Sequence, residues 1–142
     1  MSDGVMSRQG RVSLSDAAAF DGRPGSTGEA RDFASAFLVR AQSEHAVPVT
    51  AKTADIVRLV VSELITNAAK YAPGPYLLEL ELTDDTAQVT VWDTEPVLPV
   101  PREPDPNRIG QHGLEIVLAL CQRFDVERRA GGKRVSAHIA TD

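Results

Sequence analysis

Ser62-Glu63-Leu64-Ile65-Thr66-Asn67-Ala68-Ala69-Lys70-Tyr71-Ala72, halted by Pro73 and Gly74, is the stretch that governs the fold of this 142-residue chain. It closes a helical pattern that starts at Thr50, whose hydroxyl can cap the first turn. At 100° per residue, Val57, Val60, Val61, Leu64, Ala68 and Tyr71 fall in one apolar stripe, with Asp55, Ser62 and Thr66 roughly opposite. Glu63, Asn67 and Lys70 belong to neither set. At i, i+4 and i+7 they form their own stripe, about a quarter turn from the core, at the rim of whatever the helix covers. Spacing alone favours the plain reading, a solvated pair and a lysine.

Outward from this helix the chain alternates between the two periodicities. Upstream, Ser26 to Glu29 read as a capping box, and Ala30, Phe33, Ala34, Phe37 and Leu38 follow at helical spacing. Downstream, YLLELELT and TAQVTVWD, joined by Asp84-Asp85, read as an antiparallel hairpin. Leu78, Leu80 and Leu82 share one face of it. On the second strand Ala87, Val89 and Val91 point one way, and the same parity carries Asp93 onto that apolar side. Residues 94–110 hold five prolines and no periodicity, the pattern of a lid. A third helix, LEIVLALCQRF, is expected after Gly113, then strands FDVERR and KRVSAHI around Ala130-Gly131-Gly132. Residues 1–25 are rich in Gly, Ser, Asp and Arg and are expected to be a flexible arm with a short strand-like patch at 11–14. Residues 26–142 should form one domain. These elements predict an α+β fold, a two-layer sandwich of a mostly antiparallel sheet with its helices on one face.

Composition narrows the function. The formal charge of −5 argues against nucleic acid as a partner, and no apolar run is long enough to cross a membrane. The first residues lack the apolar core of a secretory signal, so a cytoplasmic location is expected. Cys121, the single cysteine, sits in an apolar run and reads as a buried structural thiol. His45 is read as a loop residue ahead of Pro48, and His138 as facing outward from the last strand.

Taken as a whole, SELITNAAKYA resembles the N box of the GHKL ATPases, the group of gyrase, histidine kinases and anti-sigma-factor kinases. The resemblance implies a base at Glu63, magnesium held through Asn67, and Lys70 near the phosphates. Asp93 in VTVWD is similar to the family's adenine-binding aspartate, although Thr94-Glu95-Pro96 stands where the family has Gly-x-Gly. Gly110-Gln111-His112-Gly113-Leu114 resembles the family's phosphate-cradling glycine turn, with Arg108 and His112 in reach of phosphates or facing water. Gly132-Lys133 resembles its closing turn, with Arg134 in place of a hydroxyl residue that helps hold adenine. The implied ATP site therefore comprises Glu63, Asn67, Lys70, Asp93, Arg108, Gly110, His112, Gly113, Leu114 and Lys133, with ATP and Mg²⁺ as cofactors. The resemblance is nearest to the stand-alone anti-sigma-factor serine/threonine kinases, which phosphorylate a small antagonist protein and sequester a sigma factor. It implies those two partners and leaves a homodimer possible. The alternatives are a binding module of the same fold with weak or no catalysis, and a free-standing ATPase.

Overall fold

Leucine at every second position of Tyr76–Leu82 and valine at every second position of Thr86–Asp93 cannot all be buried unless one face of the hairpin is covered. In a computed structural model, which describes residues 5–8, 11–23, 25–71, 74–94 and 113–141, helices cover it. The elements are β1 (Val5–Arg8), β2 (Arg11–Phe20), α1 (Ser26–His45), α2 (Ala51–Tyr71), β3 (Tyr76–Leu82), β4 (Thr86–Asp93), α3 (Gly113–Leu120), β5 (Arg123–Arg129) and β6 (Gly132–Ala140). The strands form one six-stranded sheet in the order β1-β2-β3-β4-β6-β5, and every neighbouring pair is antiparallel. This is the expected two-layer α+β sandwich.

Its core lies between the sheet and α1 and α2. Leu78, Leu80, Leu82, Val89, Val91, Ala137 and Ile139 rise from the sheet, and Phe37, Val60, Val61 and Ile65 come down from the helices, all essentially without exposure. α1 lies over β2 and β3, α2 over β4 and β6, and α3 packs along α2. The start of α2 is fixed as expected: the Thr53 N–H donates to Thr50 Oγ1 at 3.1 Å. Thr53 Oγ1 then donates to the Thr141 carbonyl at 3.2 Å, which ties this end of the helix to the far end of β6. The 21 residues of α2 span about 30 Å at 1.5 Å per residue, the height of the sheet, so its C-terminal half arrives at the edge where β4 ends and β6 begins.

Four local expectations differ from the structure. Arg11–Phe20, assigned to a flexible arm, is a ten-residue strand paired with β3 from Leu14↔Leu82 to Phe20↔Tyr76. Its small residues Ala17 to Ala19 carry little periodic signal, but the unpaired edge of β3 supplies the hydrogen bonds. Ser26 is not a cap. The capping position belongs to Gly25 in a left-handed conformation (φ 101°), and the buried Ser26 hydroxyl has no hydrogen-bond partner in the structure. α3 ends at Leu120, not at Phe124, because the Gln122 N–H donates to the His138 carbonyl and starts the pairing of β5. His45 is the last residue of α1 and not a loop residue; the chain turns at Ala46 (φ 55°). His138 lies on the outward face, 3.4 Å from Asp125 Oδ2.

Replacing the fully buried Ile65 by alanine should lower the free energy of unfolding by about 2–5 kcal/mol, measured by urea titration. On the outer side of the same helix, Leu59→Ala should stay within about 1 kcal/mol of the parent.

Candidate functional site

The edge of the sheet under the C-terminal half of α2 holds the two charged side chains that are buried among the described residues. Asp93 ends β4 on the helix-covered face, and its side chain is 1% exposed. A carboxylate taken that far out of water needs a partner. Directly opposite in the β4–β6 register stands Lys133, 4% exposed, its Nζ 2.7 Å from Asp93 Oδ2. Removing one member of such a pair strands a buried charge at a cost of about 3–5 kcal/mol.

The approach of β6 depends on Gly132. A Cβ there would stand 1.9 Å from the Asp93 carbonyl oxygen, closer than any side chain tolerates. Only glycine lets the strand begin where Lys133 meets Asp93. On the other flank Leu77 faces Trp92, which sets Tyr76 beside Asp93 in the same inward row. The Tyr76 side chain is buried there, its hydroxyl near the Gly74 backbone. Burial pushes its phenol above the ordinary range; a hydrogen bond with the Gly74 backbone offsets part of this, and the Asp93 charge adds to the push. The row Tyr76, Asp93, Lys133 is thus a donor–acceptor–donor sequence across three strands.

Glu63 and Asn67 sit half-buried on α2, about 6 Å apart along the helix axis, at the rim where the stripe was expected. Lys70 lies in the last turn of the same helix. Gly113 opens α3, with Leu114 next to it. α3 runs back from there to Leu120, beside the start of β5, so its first residues are directed toward the Asp93 edge. Arg108, Gly110 and His112, with the rest of the expected lid, lie outside the described residues.

Arg134 has a different place from the one the sequence suggests. On the outward face its guanidinium is 2.8 Å from Glu127 Oε1 and 5.7 Å from the centre of the Trp92 ring. Arg129 lies over the same ring at 5.6 Å, and the indole N–H donates to Glu79. The residue that meets Asp93 in place of a hydroxyl is Lys133. Tyr76 was missed, although its parity with Leu78, Leu80 and Leu82 was available in the sequence.

The donor set suits a magnesium nucleotide. Among the described residues no three His, Cys, Asp or Glu side chains converge, so a cation here needs oxygens from elsewhere. Mg²⁺ commonly takes one or two protein oxygens, such as that of Asn67, with phosphate oxygens completing its octahedron. Buried, directional polar groups at the strand ends fit the edge of a purine.

With this geometry, the chain is a histidine kinase-like ATPase domain: it matches that family over residues 20–139 and belongs to it. No curated protein matches the chain. Among solved structures it is similar to the RsbU and RsbW domains of Rv1364c from Mycobacterium tuberculosis, with a TM-score of 0.59 and 15% identity. That match covers 87% of this chain and 32% of the other, so the chain spans about a third of that protein's length. It is also similar to the histidine kinase domain of the blue-light activated histidine kinase EL346 from Erythrobacter litoralis, with a TM-score of 0.44, 23% identity and coverage of 76% and 61%. At these identities the likeness is one of fold.

Two predictions follow from this geometry. Gly132→Ala should cost about 1–3 kcal/mol in a urea titration, because β6 must move away from the Asp93 carbonyl. Cys121 is half-buried beside Leu120 and Ile139, and burial pushes its thiol up to about 11. The thiolate is the reactive form, so alkylation by iodoacetamide should be slow at pH 7.5 and climb as pH rises toward 11.

Proposed function

We propose that the domain is an ATP-dependent protein serine/threonine kinase of the anti-sigma type. Its acceptor would be a small antagonist protein, and its second partner a sigma factor that it alternately sequesters. The observation that carries this reading is the burial of Asp93 on the helix-covered face, at the edge to which α2 delivers Glu63 and Asn67.

Each residue would have one task. Asp93 accepts from the exocyclic amine of the base. Asn67 holds Mg²⁺, which neutralises phosphate charge when bound. Lys70, the Gly110–Leu114 segment with His112, and Arg108 ahead of it engage the phosphates, helped by the positive end of α3. Glu63, on the rim and open to an incoming hydroxyl, takes the proton of the acceptor serine or threonine as that oxygen bonds to the γ-phosphorus and ADP leaves. Such transfers depend mainly on positioning and charge neutralisation, which suits a site with a single base. A cytoplasmic location and a possible homodimer fit the same reading.

Glu63→Ala should lower phosphoryl transfer to the antagonist by about 10²-fold or more, while the dissociation constant for Mg-ATP stays within about threefold. Radiolabel transfer and calorimetry on the same protein measure the two quantities. Transfer at the parental rate would remove Glu63 from the role of base. The buried bond between Lys133 and Asp93 favours a second reading, a partner-binding module of this fold with little or no catalysis. Undetectable heat with millimolar Mg-ATP would select it.

A further inference from the structure

Away from the nucleotide edge, the start of α2, the end of α3 and the last residues of β6 enclose a half-open cleft of about 230 Å³. Ile56, Leu120, Ile139 and Ala140 give it apolar walls, and the buried Ile139 marks its deepest part. Polar groups that reach it are already engaged. Thr53 Oγ1 donates to the Thr141 carbonyl at 3.2 Å and accepts from Thr50 Oγ1 at 3.0 Å, and the Cys121 N–H donates to the Val117 carbonyl at 3.1 Å. Cys121 lines the cleft with a thiol that burial keeps protonated at neutral pH, so it acts as a small apolar surface. A molecule entering here finds no directional partner in these groups and is held by shape and apolar contact. Along α2, Ile56 stands about 16 Å from Asn67, so the cleft is separate from the site of Glu63, Asn67 and Asp93.

We propose that this cleft is a binding site for a small, uncharged aromatic molecule, one ring with a short substituent. Volume sets the size. An apolar cavity of about 150 Å³ takes a benzene ring, and sites for drug-sized molecules begin at about 300 Å³, so this cleft falls between the two. The lining sets the chemistry. Among the described residues, the only charged one that lines it is Lys52, a cation of the kind that lies over the face of an aromatic ring. An alkyl chain has no such face to offer. Lys52 is exposed, so a salt bridge to it gains little, whereas a charge on the ligand would have to leave water for apolar walls. A neutral ring meets both demands.

Alkylation of Cys121 reads the cleft directly, because Cys121 is the only cysteine of the chain. Iodoacetamide at pH 9 gives a measurable rate with a thiol pushed up to about 11. A single ring held by apolar contact binds with a dissociation constant of about 1 mM. Toluene at about 3 mM should therefore occupy about three quarters of the molecules and slow alkylation about fourfold, while free glutathione in the same solution reacts at an unchanged rate. Leu120→Asp places a charge in the wall at a residue already 37% exposed, and this variant, shown folded by circular dichroism, should lose most of the protection. Slowing of the parent by less than about twofold overturns the inference without any variant. So does a folded Leu120→Asp that toluene protects as strongly as the parent. In both cases the reading of the nucleotide edge stands, since neither Cys121 nor Leu120 belongs to it.

Discussion

Side-chain alternation along β4 is the constraint from which the site follows. Val89 and Val91 must lie under α2 to build the core, and the two-residue period then leaves Asp93 no choice of face. The strand ends with an acid inside the protein. That acid obliges the next strand to bring a cation, and the cation can come close only because the residue before it is glycine. Core packing, a buried ion pair and a backbone crossing at van der Waals limits are thus one arrangement, set by register.

The same register joins the two halves of the site. α2 is anchored at its start by Thr53 on the Thr141 carbonyl, at the opposite end of β6 from Lys133. A helix fixed there and as long as the sheet is tall brings Glu63, Asn67 and Lys70 toward the Asp93 edge. Stability and site geometry share these contacts. At the far side of the sheet β5 carries Arg123, Asp125, Glu127, Arg128 and Arg129, charges that discourage pairing with another strand at that open edge.

Much of this was legible in the residues. The leucine and valine alternations dictated β3 and β4, the 3.6-residue stripe dictated α2, and parity alone placed Asp93 inward. The rim position of Glu63 and Asn67 was a direct reading of helical angle. What escaped was non-local. β2 is recruited by the hydrogen-bonding edge of β3 more than by its own alanines, so its propensity said little. Ser26 and Glu29 have the spacing of a capping box, yet the left-handed Gly25 sets the start of α1 one residue earlier. The facing of Lys133 and Arg134 depended on the β4–β6 register, which sets Lys133 on Asp93 and Arg134 over Trp92. Arg108, Gly110 and His112 stay as the resemblance implied them, outside the described residues.

Trp92 is the sole tryptophan of the chain, and it immediately precedes Asp93 on the opposite face of β4. Arg129 and Arg134 cover its ring and Glu79 holds its indole N–H, so its surroundings are set by β3, β5 and β6 together. The domain in this way carries a native fluorophore one residue from a buried carboxylate. Any event that shifts β6 along β4 would alter its emission, giving an optical signal of the site with no label attached.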